Sequence, residues 1–165
     1  PRRIGMIVGR LDITTAVERH QGYREALAGA GLPYREEWVL PGNHREEGGR
    51  VAAHALLSRP PDERPTALFV GNNEMTVGAV LAARELGLRI PQDLSIVGFD
   101  DSRWARTMQP ALTVVAQPEY DIGFLACETL LSLLRHGKPV QPVRIRLATT
   151  FIARDSTAPP GPASS

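Results

Sequence analysis

The chain has 165 residues, 42% of them hydrophobic and 22% charged, with a net charge of +1. That balance suits an ordinary globular protein of one domain, or of one large lobe and one incomplete lobe. Near-neutral charge argues against a broad basic face for nucleic acid, the single cysteine, Cys127, excludes an internal disulfide framework or zinc cluster, and no apolar stretch is long enough to cross a membrane.

Residues 3–8, RIGMIV, read as a buried strand. A helix over 16–30 follows, capped by Thr14 or Thr15, with Val17, Tyr23, Ala26 and Leu27 at near-helical spacing. Gly29-Ala30-Gly31 ends it, and Pro33 blocks continuation. A short strand over 37–40, a turn over 41–44 and a helix over 46–57 come next, with Val51, Ala52, Ala55 and Leu56 expected inward. The Pro-rich loop 59–64 leads into the stretch that organises the chain. Ala67-Leu68-Phe69-Val70 is an apolar run suited to a buried parallel strand. Asn73 is the expected N-cap of a helix reaching Leu86, which Gly87 and Pro91 stop. Residues 94–97 form the next strand and end in Gly98-Phe99-Asp100-Asp101. Beyond it lie a helical turn over 102–108, a strand over 112–116, a helix over 120–135, and two short strands or one bent strand over 143–147 and 149–153. Residues 156–165, STAPPGPASS, have the composition of a disordered tail.

Three β–α alternations before residue 101 imply an α/β fold with a doubly wound parallel sheet. Such sheets bind ligands beyond the carboxyl ends of their strands. Asn72 and Asp100 both fall there and can face one small molecule. Phe99 and Trp104 are candidates for an apolar wall. Catalysis is not indicated. Asp100 and Asp101 are adjacent, so in an extended chain their carboxylates diverge rather than share a metal. His20, His44, His54 and His136 show no ligand spacing, and no phosphate loop or nucleophile motif stands in usable context. We expect no cofactor, no metal and no enzyme.

The run VGNNEMTVGAVLAARELGLRIPQDLSIVGFDD (residues 70–101) resembles the signature of LacI/GalR-type transcription regulators: strand, Asn-Asp, Met-Ala-x-Gly-Ala, helix, Gly-Leu-x-Val/Ile-Pro-x-Asp, strand, Gly-Phe-Asp-Asp. Asn73 stands for the usual Asp and Thr76 for the usual Ala. HQGYREALAGAGL, LTVVAQPEYDIGFLACETLL and TTFIARDSTAPP extend the resemblance over residues 1–158. It implies a type I periplasmic-binding-protein-like fold of two lobes with the ligand between them. The match begins at the C-terminal lobe; the helix-turn-helix, the hinge helix and most of the N-terminal lobe have no counterpart. The implied division is 1–116 and 146–155 in the C-terminal lobe, 117–145 as crossover plus a helix of the other lobe, and 156–165 as tail. That helix must bury its apolar face on a second copy or on its own lobe, or else be poorly ordered.

The resemblance also implies roles for particular residues. Arg19, three residues before Gly22, matches the ligand-gripping arginine, and Thr15 a frequent ligand contact. His44 stands where an aromatic often stacks on the ligand, and Gln117 at the crossover. With Asn72 and Asp100 these make the expected site for a carbohydrate-like effector. Thr76, Val77, Val80, Trp104 and Met108 match the segments through which the family forms homodimers. The implied protein is a cytoplasmic regulator that reaches operator DNA through a helix-turn-helix absent from this chain. The alternative is a periplasmic sugar-binding protein for an ABC transporter.

Overall fold

The computed structural model describes residues 3–137 and 144–159. The elements run β1 (Ile4–Val8), α1 (Thr14–Gly29), a 3₁₀ turn (Glu36–Trp38), β2 (Val39–Pro41), α2 (Glu46–Leu57), β3 (Ala67–Val70), α3 (Asn73–Glu85), β4 (Ser95–Phe99), α4 (Arg103–Thr107), β5 (Thr113–Ala116), α5 (Glu119–His136) and β6 (Thr150–Ile152). They build one six-stranded sheet in the order β2-β1-β3-β4-β5-β6. Every neighbouring pair is parallel except β5 with β6. The chain steps outward from β1 to β2, then returns past β1 to β3. The order therefore reverses between β1 and β3, which is where a doubly wound sheet opens a crevice.

Alternation along β1 divides the core. Met6 and Val8 face α1 and pack with Tyr23 and Leu27. Ile7 faces the other way, into the larger core that α2 and α3 form with Leu68, Val70, Ile96 and Val114. Glycines end α1 and α3 as expected. Gly31 and Gly87 take φ of +66° and +68°. Leu32 N–H donates to Leu27 O and Leu88 N–H to Ala83 O, both at 2.9 Å, which closes each helix with a left-handed residue.

Several expectations need correction. The residue before α1 is Ile13, and no side chain caps the helix. Thr14 and Thr15 already lie within its first turn. In α2 the buried residues are Gly49, Ala52, Ala53, Leu56 and Leu57, whereas Val51 and Ala55 are exposed. The helix is turned because it crosses α3 at a glycine contact rather than meeting the sheet alone. A Cβ on Gly49 would lie 2.3 Å from Met75 O. Residues 144–149 carry no strand, and residue 143 lies outside the described residues.

Residues 156–159 of the expected tail are described, and they join the folded lobe. Ser156 is fully buried. Its hydroxyl donates to Ile96 O at 2.7 Å and accepts the Thr113 N–H at 2.8 Å, bridging β4 and β5. Residues 160–165 lie outside the described residues. Nearby, Asp101 holds the same closing segment through Arg154 at 2.7 Å, and it holds Arg106 of α4 at 3.0 Å. The Arg154 contact is close but poorly aligned for a hydrogen bond at Oδ1. It nonetheless keeps the Asp101 carboxyl below its ordinary range, against the opposing effect of burial. A depressed acid stabilises the fold above its unfolded pKa of about 4 and loses that contribution as pH falls through the folded value. Urea midpoints measured down the acid limb should therefore fall less steeply for Asp101→Asn than for the native chain; parallel curves would show that the contact does not matter.

Helix α5 buries no residue. Leu125, Thr129 and Leu133 are half-buried along one row. Tyr120, Ile122, Phe124, Leu130, Leu131 and Leu134 are exposed. The expected inward set of Ile122, Ala126, Leu130, Leu133 and Leu134 is thus mostly outward, because the chain offers this helix no sheet to cover.

Candidate functional site

β3 and β4 leave the sheet side by side, with Phe69 paired to Val97. Asn72 and Asp100 follow these strands, so both stand on the carboxyl edge. The structure gives Asn72 the capping role that its neighbour was expected to play. Asn72 Oδ1 accepts the Met75 N–H at 2.9 Å, and Nδ2 donates to His44 O at 3.4 Å. Asn73 Oδ1 instead accepts the Trp104 indole N–H at 2.8 Å. Helix α3 begins immediately off the rim, so the first amide reaches the orphan N–H. Asn72 therefore keeps only its second amide N–H for any ligand.

Arg19 crosses from α1 toward β3 and β4. Its Nη1 donates to Gly71 O at 2.6 Å. Its guanidinium carbon sits 3.5 Å above the Phe99 ring centre. Burial pushes its pKa down and the Asp100 carboxylate pushes it back up. Asp100 adopts φ +74°. Its main-chain N–H donates to Val115 O at 2.9 Å, and its Oδ1 accepts from Gln117 Nε2 at 2.6 Å. The rim acid is thus joined by main chain and side chain to the strand and crossover that lead into α5.

These groups border an open groove of about 690 Å³. Thr15, Glu18 and Arg19 of α1 form one wall, Phe99 and Gln117 the floor, and Ile122, Leu125 and Ala126 of α5 the other wall. Three of the expected residues, Thr15, Arg19 and Gln117, line it, and Asp100 stands behind through Gln117. Asn72 shares the rim as a cap. His44 does not line the groove. It takes φ +58°, accepts the Arg10 N–H on Nδ1 at 3.2 Å, and lies so close over Gly9 that a Cβ there would meet Nε2 at 2.2 Å. Trp104 is no part of the wall either; it turns toward α3. Phe99 serves beneath Arg19 rather than as an open face, a role its place beside Asp100 could have suggested. The Arg146–Glu18 ion pair at the groove edge had no signal in the sequence.

A larger depression, about 940 Å³, opens at the opposite edge of the sheet. It gathers none of the rim residues. Two of its three arginines serve as braces: Arg3 donates to Pro61 O and Asp62 O, and Arg59 to Glu37 O, each at 2.8 Å. We place the site at the carboxyl rim because donors and acceptors converge there.

On the far side of α3, Val77, Trp104 and Met108 line a shallow depression of about 220 Å³ with Leu81 and Arg84. Val80 borders it but is nearly buried, and Thr76 is inside the lobe. The Thr76 hydroxyl donates to Asn72 O at 2.6 Å, so it cannot reach a partner chain as expected. The α3 helix turns that position toward β4, where Thr76 packs against Gly98. Among the described residues no group of three His, Cys, Asp or Glu side chains could hold a metal ion.

Residues 1–157 match the family of periplasmic binding protein-like domains. The HTH-type transcriptional repressor PurR of Yersinia pestis (strain Pestoides F) is 42% identical over 157 residues, covering 95% of this chain and 45% of the repressor. A LacI family transcriptional regulator from Mycobacterium smegmatis has a similar structure, with a TM-score of 0.86 at 35% identity over 97% of this chain and 59% of that one. The transcriptional regulator CelR in complex with cellobiose gives a TM-score of 0.85 at 38% identity over 94% and 46%. The chain spans about half the length of the curated relatives it matches.

Proposed function

The chain belongs to the effector-binding, periplasmic-binding-protein-like domain of LacI/GalR-type transcription regulators, and from that premise we propose that its carboxyl rim senses a small polyhydroxyl compound and passes the event on to operator binding. One observation carries the reading: Thr15, Arg19 and Gln117, drawn from distant parts of the sequence, line one groove, with Asp100 hydrogen-bonded behind Gln117. A sugar offers hydroxyls that both donate and accept. Arg19 supplies planar donors, Asp100 an acceptor, and Gln117 and Thr15 both kinds.

Residues 1–116 and 146–155 act as one jaw. Crossover 117–145 carries α5 toward a second lobe, whose sheet covers the apolar face left exposed here. Ligand favours whichever jaw arrangement binds it better, and the linked DNA-binding segment responds to that shift. Operator contact runs through a helix-turn-helix outside these residues, in the cytoplasm where the DNA lies. The depression beside Trp104 pairs two copies. The relatives are transcriptional repressors rather than enzymes, and they do not favour the transport alternative.

Thermal shift of the longer protein containing this domain, titrated with cellobiose and D-ribose, tests the proposal. A polyol should raise the midpoint, and Arg19→Ala or Asp100→Asn should remove the gain. A gain that survives Arg19→Ala would place the ligand elsewhere.

A further inference from the structure

Phe99 is the one aromatic side chain among the described residues lining the groove. It is nearly buried, it ends β4, and it directly precedes Asp100. Its ring face is not open to the groove, because the Arg19 guanidinium lies 3.5 Å from the ring centre. Arg19 belongs to α1, which packs across β1, so this contact spans two strands of the sheet.

The hydrogen bond from Arg19 to Gly71 O pins one nitrogen. A single bond leaves the guanidinium plane free to swing about it. A flat ring at van der Waals distance removes that freedom, because the cation is drawn to the ring face and its plane stacks on it. The remaining N–H groups of a five-donor fork are then held for a ligand.

Resting on the reading of the rim as the ligand site, we propose that Phe99 is a positioning residue: its ring fixes the plane of the Arg19 guanidinium, so that the remaining N–H donors are held for the ligand.

Nitrogen-15 relaxation at Arg19 Nε, in the native chain and in Phe99→Leu and Phe99→Tyr, tests the proposal. The native chain and Phe99→Tyr should show the order of rigid backbone, about 0.85, and Phe99→Leu should drop below about 0.6. A purely structural Phe99 would change stability but not this contrast. Full order at Arg19 in a folded Phe99→Leu overturns the proposal, since the Gly71 bond alone would then suffice. If Phe99→Leu does not fold, replacing Phe99 by pentafluorophenylalanine keeps the shape and inverts the ring's charge distribution. Arg19 should loosen, and unchanged order overturns the proposal.

The Arg19 Nε–H resonance with cellobiose at millimolar concentration tests the reading of the rim separately. Cellobiose should move it; no movement overturns the rim as the ligand site, while the relaxation contrast still decides the positioning claim.

Discussion

Gly78→Ala is expected to destabilise the domain by roughly 3 kcal/mol, at the upper end of the usual cost of overpacking. Alanine normally improves a helix interior by about 1 kcal/mol over glycine. Here the added methyl carbon would stand 2.0 Å from Glu46 O and 2.5 Å from Arg50 N. Both are main-chain atoms of α2, so no rotamer change relieves the clash and the two helices must separate. Gly49 repeats the contact from the other side, where a Cβ would meet Met75 Cα at 2.5 Å. Separation would open the core around Ala52, Ala79 and Ala83. Gly123→Ala on α5 is the control, because nothing lies within 4 Å of its added carbon. It should stabilise by about 0.5–1 kcal/mol if helix propensity alone acts. Urea midpoints of the two variants should move in opposite directions. A stabilised Gly78→Ala would mean that α2 and α3 are not in contact as described.

Ser156→Ala should be nearly as damaging, at about 2–4 kcal/mol. The hydroxyl serves two buried main-chain groups at once, Ile96 O and Thr113 N–H. Removing it leaves both without their partner, and each buried unsatisfied group costs about 1–3 kcal/mol. The hydroxyl stands between β4 and β5, whose register pairs Val97 with Thr113, so the damage should spread along that pair. Hydrogen exchange at the Thr113 amide should accelerate more than at Val70 in β3. A loss of less than about 1 kcal/mol, with uniform exchange, would show that the bridge does not hold the two strands together.

How much of this was legible in the residues depends on the range of the interaction. β3 matched its expected bounds because four apolar residues between turn formers suit a buried parallel strand and little else. The ends of α1 and α3 were readable from Gly31 and Gly87, since the left-handed residue is a local requirement. The face of α2 was not. Hydrophobic spacing identifies an apolar side, but Gly49 and Gly78 decide which small residues meet another helix, and that choice is made by a partner distant in sequence. Asn72 and Asn73 are equally good caps by composition. Only the strand geometry and the Trp104 indole, more than two dozen residues on, distribute their roles. Ser156 looked like linker because its partners lie 43 and 60 residues away.

At the candidate site, motif resemblance rather than spacing pointed to Thr15, Arg19 and Gln117, which the fold brings to one groove. It placed His44 there too, and the structure sets that ring on Gly9 instead. A histidine in a left-handed turn is directed by its backbone more than by the class of ligand its position might serve.

The left-handed backbone of Asp100, φ +74°, limits how such a sensor can diversify. Short polar residues tolerate that conformation far better than branched or bulky ones, and glycine tolerates it freely. A descendant lineage seeking a new effector can therefore vary Thr15 with little penalty, but at position 100 it is confined to Asp, Asn or Gly. Innovation in ligand choice should accumulate on the helix wall, with the strand end as the fixed point around which it turns.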